Sequence, residues 1–137
     1  MKAIDYAKAA GLAVLVLAAN LLVTTVVIFG YSQAVEPGQP PAYYAALAPK
    51  IAAWSAPAGG AILMFLVGYV FGRRRPERNA LAFVLAVFAL YVLVDLALGL
   101  AAASPAELLT PQLFASLAVT GVGGLIGASI ATRRRAA

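Results

Sequence analysis

The chain of 137 residues contains no cysteine and no histidine. The first absence excludes a disulfide framework and any thiolate metal or redox site. The second removes the commonest metal ligand, and with it the side chain most often used as a general base near neutral pH. Charge is scarce as well. Only 11% of the residues are Asp, Glu, Lys or Arg, against about a quarter in a soluble domain. Of the five acidic residues, Asp95 alone lies deep inside an apolar run. An intramembrane enzyme would need a second carboxylate, a histidine or a cysteine at that depth, so no catalytic residue, metal site or cofactor is expected.

What remains is apolar. Hydrophobic residues make up 64% of the chain and the mean hydropathy is +0.93. One small core cannot hide that much apolar side chain, so the surplus must face lipid. Four stretches are long enough to cross about 30 Å of hydrocarbon at about 1.5 Å per residue. They cover roughly residues 9–31, 51–72, 80–102 and 111–132. The expected fold is an all-α integral membrane protein: one domain, residues 1–137, forming a four-transmembrane-helix bundle.

The basic residues give the threading. Lys2 and Lys8 precede the first span, Arg73, Arg74, Arg75 and Arg78 fill the second loop, and Arg133, Arg134 and Arg135 follow the fourth. Lys50 is the one cation on the other side. A Lys/Arg bias in short loops sets orientation, so both termini are expected in the cytoplasm. The run after "MKAIDYAK" is longer than the 7–15 residues of a typical signal-peptide core, and is expected to stay as a span. The alanine-rich composition suits a bacterial inner membrane. The arginines at 73–75 and 133–135 are expected to meet anionic lipid headgroups, each contributing about 1 kcal/mol, and not nucleic acid.

The first outer loop, "SQAVEPGQPPAYYAALAPK", carries its own signals. Pro40 and Pro41 can open a helix, since proline is tolerated in the first turn. Tyr43 and Tyr44 stand where an interfacial aromatic belt would sit, and Pro49 ends the segment or kinks it into the second span. A short interfacial helix is therefore predicted there. Trp54, at the outer end of the second span, reads as an interface anchor.

Small residues mark where helices meet, because lipid supplies little hydrophobic force between them. In the fourth span Ser116, Thr120, Gly124, Ala128 and Thr132 recur every four residues, beside Gly123, Gly127 and Ala131. In the second, Gly60, Met64, Gly68 and Gly72 do the same. These two spans are expected to pack tightly, within the bundle or across a homo-oligomer axis. The glycine-rich "GVGGLIGAS" is no nucleotide fingerprint, for no strand precedes it.

Asp95, in "ALYVLVDLALGL", is the residue that asks for a function. An aspartate at a helix centre costs about 2.5–3.5 kcal/mol to insert. It shares a helical stripe with Tyr91 and Gly99, and lies about 10 Å from the outer end of the third span. Counting the other spans to that level reaches Thr24 and Thr25, Ser55 to Gly59, and Ser116 to Thr120, with Asn20 one turn deeper. A polar site in the outer half, formed by Asp95, Tyr91, Thr24, Asn20, Ser116 and Thr120, is the first functional expectation. It would bind or transport a proton, a cation or a small cationic solute. The second is a non-catalytic accessory, assembly or scaffold protein that meets lipids, its own copies or a partner membrane protein through the glycine faces.

Overall fold

The computed structural model describes residues 1–75, 77–102 and 104–136, with the backbone alone at 77, 78, 106, 107 and 134–136. The described residues are helical, with no strand among them. Five helices follow in order: α1 (Ala3–Ala34), α2 (Pro41–Gly72), α3 (Glu77–Ala102), α4 (Pro105–Leu108) and α5 (Pro111–Ala136). α1, α2, α3 and α5 are each long and apolar enough to cross a membrane. The protein is an integral membrane protein built as a bundle of four long helices. α2 and α3 each touch the other three long helices.

α1 begins where the Lys2 backbone N–H donates to the Asp5 carboxylate at 2.9 Å, satisfying a group that the first turn leaves free. Its other end reverses at Gly38, whose φ of +80° suits glycine. Two tyrosines hold that turn. The Tyr44 hydroxyl donates to the Glu36 carbonyl at 2.6 Å and accepts from the Gln39 N–H at 3.1 Å, while the Tyr43 hydroxyl bonds the Glu36 carboxylate.

The helix predicted in this loop is not a separate element. Residues 41–49 are the opening turns of α2, which runs on through Pro49 and Pro57. Proline removes one helical hydrogen bond, yet in a membrane bundle neighbouring groups can satisfy what it frees. The short helix that does stand alone is α4, in the other far loop.

Two halves of the bundle differ. The half nearer the arginine turn, residues 73–75, holds the fully buried Phe83, Met64, Val84 and Val87, with Ala9 and Ala13 of α1 beside them. Arg75 fastens this end: it pairs with Asp5 at 2.9 Å and its guanidinium lies 3.9 Å from the centre of the Phe83 ring, joining α1, the α2–α3 turn and α3.

The deepest contact is between α2 and α5, which run parallel. Along it, Gly60 meets Thr120, Gly68 meets Gly124 and Ala128, and Gly72 meets Ala131; Gly123 and Gly127 lie on the backbones of Ala61 and Phe65. Gly124 also receives the side chains of Val84 and Met64. The spacing of four residues keeps these positions on one helical face.

A methyl group at Gly68 or Gly127 would collide with a backbone carbonyl of the partner helix, whereas one at Gly30 would meet open space. Gly68→Ala and Gly127→Ala are therefore expected to destabilise the fold by about 1–3 kcal/mol. Gly30→Ala should stay within about 0.5 kcal/mol of wild type. Unfolding in mixed micelles would show this, and equal effects at the three positions would refute the packing described.

Candidate functional site

Beyond Gly60 and Thr120, towards the end that carries α4, the helices border an open-sided cavity of about 560 Å³. α1 contributes Leu17, Asn20, Leu21 and Thr24, while α3 contributes Tyr91, Asp95, Gly99 and Ala102. α2 supplies small residues and prolines, from Pro49 to Pro57. Leu108 of α4, Thr110, and Gln112, Leu113 and Ser116 of α5 complete the wall.

Five of the six residues singled out for a polar site line this one space: Asp95, Tyr91, Thr24, Asn20 and Ser116. Thr120 does not. It is 1% exposed and its hydroxyl lies against Gly60, beneath the cavity, because the small face of α5 turns into α2 there. Thr25 points elsewhere and donates to the Leu21 carbonyl of its own helix at 2.8 Å. Trp54 is 59% exposed and lies outside the lining.

The floor is polar. Asn20 is 6% exposed, and its Oδ1 would be 2.5 Å from a Cβ added at Gly59. The paired glycines Gly59 and Gly60 thus admit Asn20 from one side and Thr120 from the other. Asn20 Oδ1 and Thr24 Oγ1 are buried without a hydrogen-bond partner, as is Ser55 Oγ nearby. Buried polar atoms are almost always paired, so the two that belong to lining residues, on Asn20 and Thr24, mark a place suited to receiving donors.

Asp95 is half-buried on the wall. Among the described residues no hydrogen bond reaches its carboxylate, and the ion pair is Asp5–Arg75 at the opposite end. Lys50 is exposed and outside the lining, and among the described residues no salt bridge joins it to Asp95. Among the described residues no group of three His, Cys, Asp or Glu is placed to hold a metal ion.

Gln112 is a member of the site that residue counting passes over. Pro57 has no N–H, so the carbonyl four residues earlier, that of Ala53, loses its helical partner. The Gln112 side chain donates to that carbonyl at 2.8 Å. The sequence held the signal: a proline inside a span names its orphan carbonyl by subtraction, and a long amide one turn into a neighbouring span can reach it. α4 adds Leu108, whose methyl groups cover Gly99 on α3 at the cavity rim.

At the arginine turn, Arg73 donates to the Tyr69 hydroxyl at 3.3 Å and lies over its ring, and Arg75 is engaged by Asp5 and Phe83. Arg74 and Arg133 are exposed. The side chains of Arg134 and Arg135, and those of Arg78 and Glu107, lie outside the described residues.

Compared with protein-family models, with curated proteins and with solved structures, the chain matches none. What the fold and the site define is therefore a class: a four-helix membrane protein with an acid-bearing cavity in one half.

Gln112→Leu removes the donor to the Ala53 carbonyl and should destabilise the protein by about 1 kcal/mol. In a Pro57→Ala background residue 57 regains its N–H, the Ala53 carbonyl recovers a helical partner, and the same Gln112→Leu change should cost less than half as much. A double-mutant cycle on unfolding free energies reads the difference. Full additivity would show that Gln112 does not serve the proline gap.

Proposed function

We propose that this protein is a small, non-catalytic membrane transport or binding protein that takes up a proton, a cation or a small cationic solute at Asp95. The observation that carries the reading is the cavity itself, which gathers the one deep acid, Tyr91, Thr24, Asn20 and Ser116 into a single space of about 560 Å³. A carboxylate there gains little as a mere fastener. Interhelical hydrogen bonds average about 0.6 kcal/mol, well short of the insertion cost, and no partner helix bonds Asp95 among the described residues. A bound cation offsets that cost directly.

The charge pattern orients the site. With Lys2, Lys8 and Arg73–Arg75 on the cytoplasmic side, both termini are cytoplasmic and the cavity lies in the outer half of a bacterial inner membrane. The first turns of α2, with Tyr43, then sit at the outer interface. The arginine turn meets anionic headgroups at the inner one.

The other reading is an accessory or scaffold protein acting through its glycine faces. Those faces are occupied within the chain: Gly60, Gly68, Gly72, Gly123, Gly124 and Gly127 all press on neighbouring helices of the same bundle. That favours the binding reading, since the small-residue stripes are not left for a partner.

Difference infrared spectroscopy tests it. The Asp95 carboxyl band, identified as the one lost in Asp95→Asn, should change with pH and with added cations, both organic ammonium ions and inorganic salts being tried. A band indifferent to every cation and to pH, with Asp95→Asn folding as wild type, would make Asp95 structural and overturn the reading.

A further inference from the structure

We infer that the cavity is built for an organic ammonium ion that carries N–H groups and an apolar body, a primary or secondary amine in its protonated form. The inference rests on the proposed cation-binding role of Asp95 and names the ligand class of that site.

Volume is the first constraint. About 560 Å³ lies well inside the range of roughly 300–1,000 Å³ typical of sites for organic ligands, and far exceeds what a proton or bare ion needs. The wall is the second. Of eighteen lining residues, eleven are alanine, leucine, proline or glycine. An inorganic cation gives up its water only for a nearly complete set of oxygens, six or more for calcium. Asp95 is the one carboxylate of this lining, and the other side-chain oxygens are neutral and spread over α1, α3, Thr110 and α5. Among the described residues no cluster of acids gathers to hold such an ion. The wall suits instead a charge at one end of a hydrocarbon body, the charge meeting Asp95 and the body replacing water along the leucines and alanines.

The third constraint separates classes of ammonium ion. Quaternary ammonium is recognised by cages of aromatic rings, yet among the described residues Tyr91 is the single aromatic side chain in the lining. The lining offers acceptors instead. Asn20, 6% exposed, has its Oδ1 unpartnered, and the Thr24 Oγ1 one turn along α1 is buried and unpartnered too. An amide oxygen can only accept. A cation with two or three N–H groups can satisfy Asp95 together with one or both of these atoms, whereas a fully methylated one would leave them orphaned. Sites built to hydrogen-bond a ligand reject analogues that lack the donor, because their own polar groups are then stranded.

Isothermal titration of the detergent-purified protein with n-hexylammonium, with N,N,N-trimethylhexylammonium and with sodium and calcium chloride tests the assignment. The two organic ions share charge and hexyl chain, and titration of each into protein-free micelles supplies its own partitioning baseline. Saturable binding of hexylammonium is expected, weakened at least about tenfold by trimethylation and by Asp95→Asn, since hydrogen bonds to a charged group carry about that much. Thr24→Val keeps the shape and removes one acceptor, and should weaken hexylammonium several-fold with little effect on the trimethyl compound. It serves as the test if Asp95→Asn fails to fold.

Equal binding of the two organic ions would overturn the N–H assignment while leaving a cation site at Asp95 intact. So would saturation by sodium or calcium alone. Hexylammonium binding that Asp95→Asn leaves unchanged would overturn this inference together with the cation role proposed for Asp95; no binding of any cation would overturn both and leave only the proton to that site.

Discussion

The structure depends on one contact: the backbone of α5 laid against the backbone of α2. Within a bilayer the lipid is as apolar as any leucine, so helices gain little by merely hiding side chains from it. Dispersion between closely fitted surfaces is what remains, and it falls steeply once a gap opens. Gly68 on α2, with Gly123 and Gly127 on α5, brings main chain against main chain. α3 then seals the seam by pressing Val84 onto Gly124 and Phe88 onto Gly121. One half of the bundle is closed in this way, and the Asp5–Arg75–Phe83 cluster fastens its end at the arginine turn.

The cavity follows from where that contact stops. Gly59 and Gly60 are the last glycines of α2 before Pro57, and Thr120 opposite Gly60 is the last small buried residue of α5 on that side. From there on, α2 offers alanines and prolines, too short to fill the space between α1, α3 and α5. Asn20 is wedged at Gly59, where α1 meets α2, with its Oδ1 left without a partner. Asp95 is left over, facing a space that Asn20 and Thr24 also face. A neutral amide thus lies where the helices meet, and an acid where they part.

How much of this the sequence discloses depends on whether a feature is periodic. The four spans are legible because the hydrophobic runs have no other use. The glycine stripes are legible because a repeat of four residues keeps one face. The common level of Asp95, Thr24, Asn20 and Ser116 could be reached by counting, since the rise per residue is fixed. Rotation about each helix axis is not fixed by counting. That is why Thr120, at nearly the right depth, turns out to face Gly60 and not the cavity. Pro49 leaves two outcomes open in the sequence, an end or a continuation into the second span, and α2 continues through it. Gln112 hides because a polar residue in the first turn of a span reads as the span's edge.

Pro57 and Gln112 explain how α2 can border a cavity at all. A proline in lipid strands a carbonyl, and lipid offers nothing to satisfy it. Were Ala53 and Pro57 turned outward, that group would cost several kcal/mol. Both instead line the cavity, where Gln112 of α5 reaches the Ala53 carbonyl. The same bond ties α2 to α5 above the point where glycine contact has ended, so the two helices are joined on both sides of the polar floor. The cavity is thus bounded below by backbone packing and spanned by a side chain-to-backbone bond, and Leu108 of α4 covers Gly99 at its rim. Each boundary is set by a residue that breaks a simple rule of helix composition: paired glycines, a proline mid-helix, an amide in the first turn of a span, and a four-residue helix in a loop. Asp95, the costliest exception of all, stands inside the space that the other exceptions create.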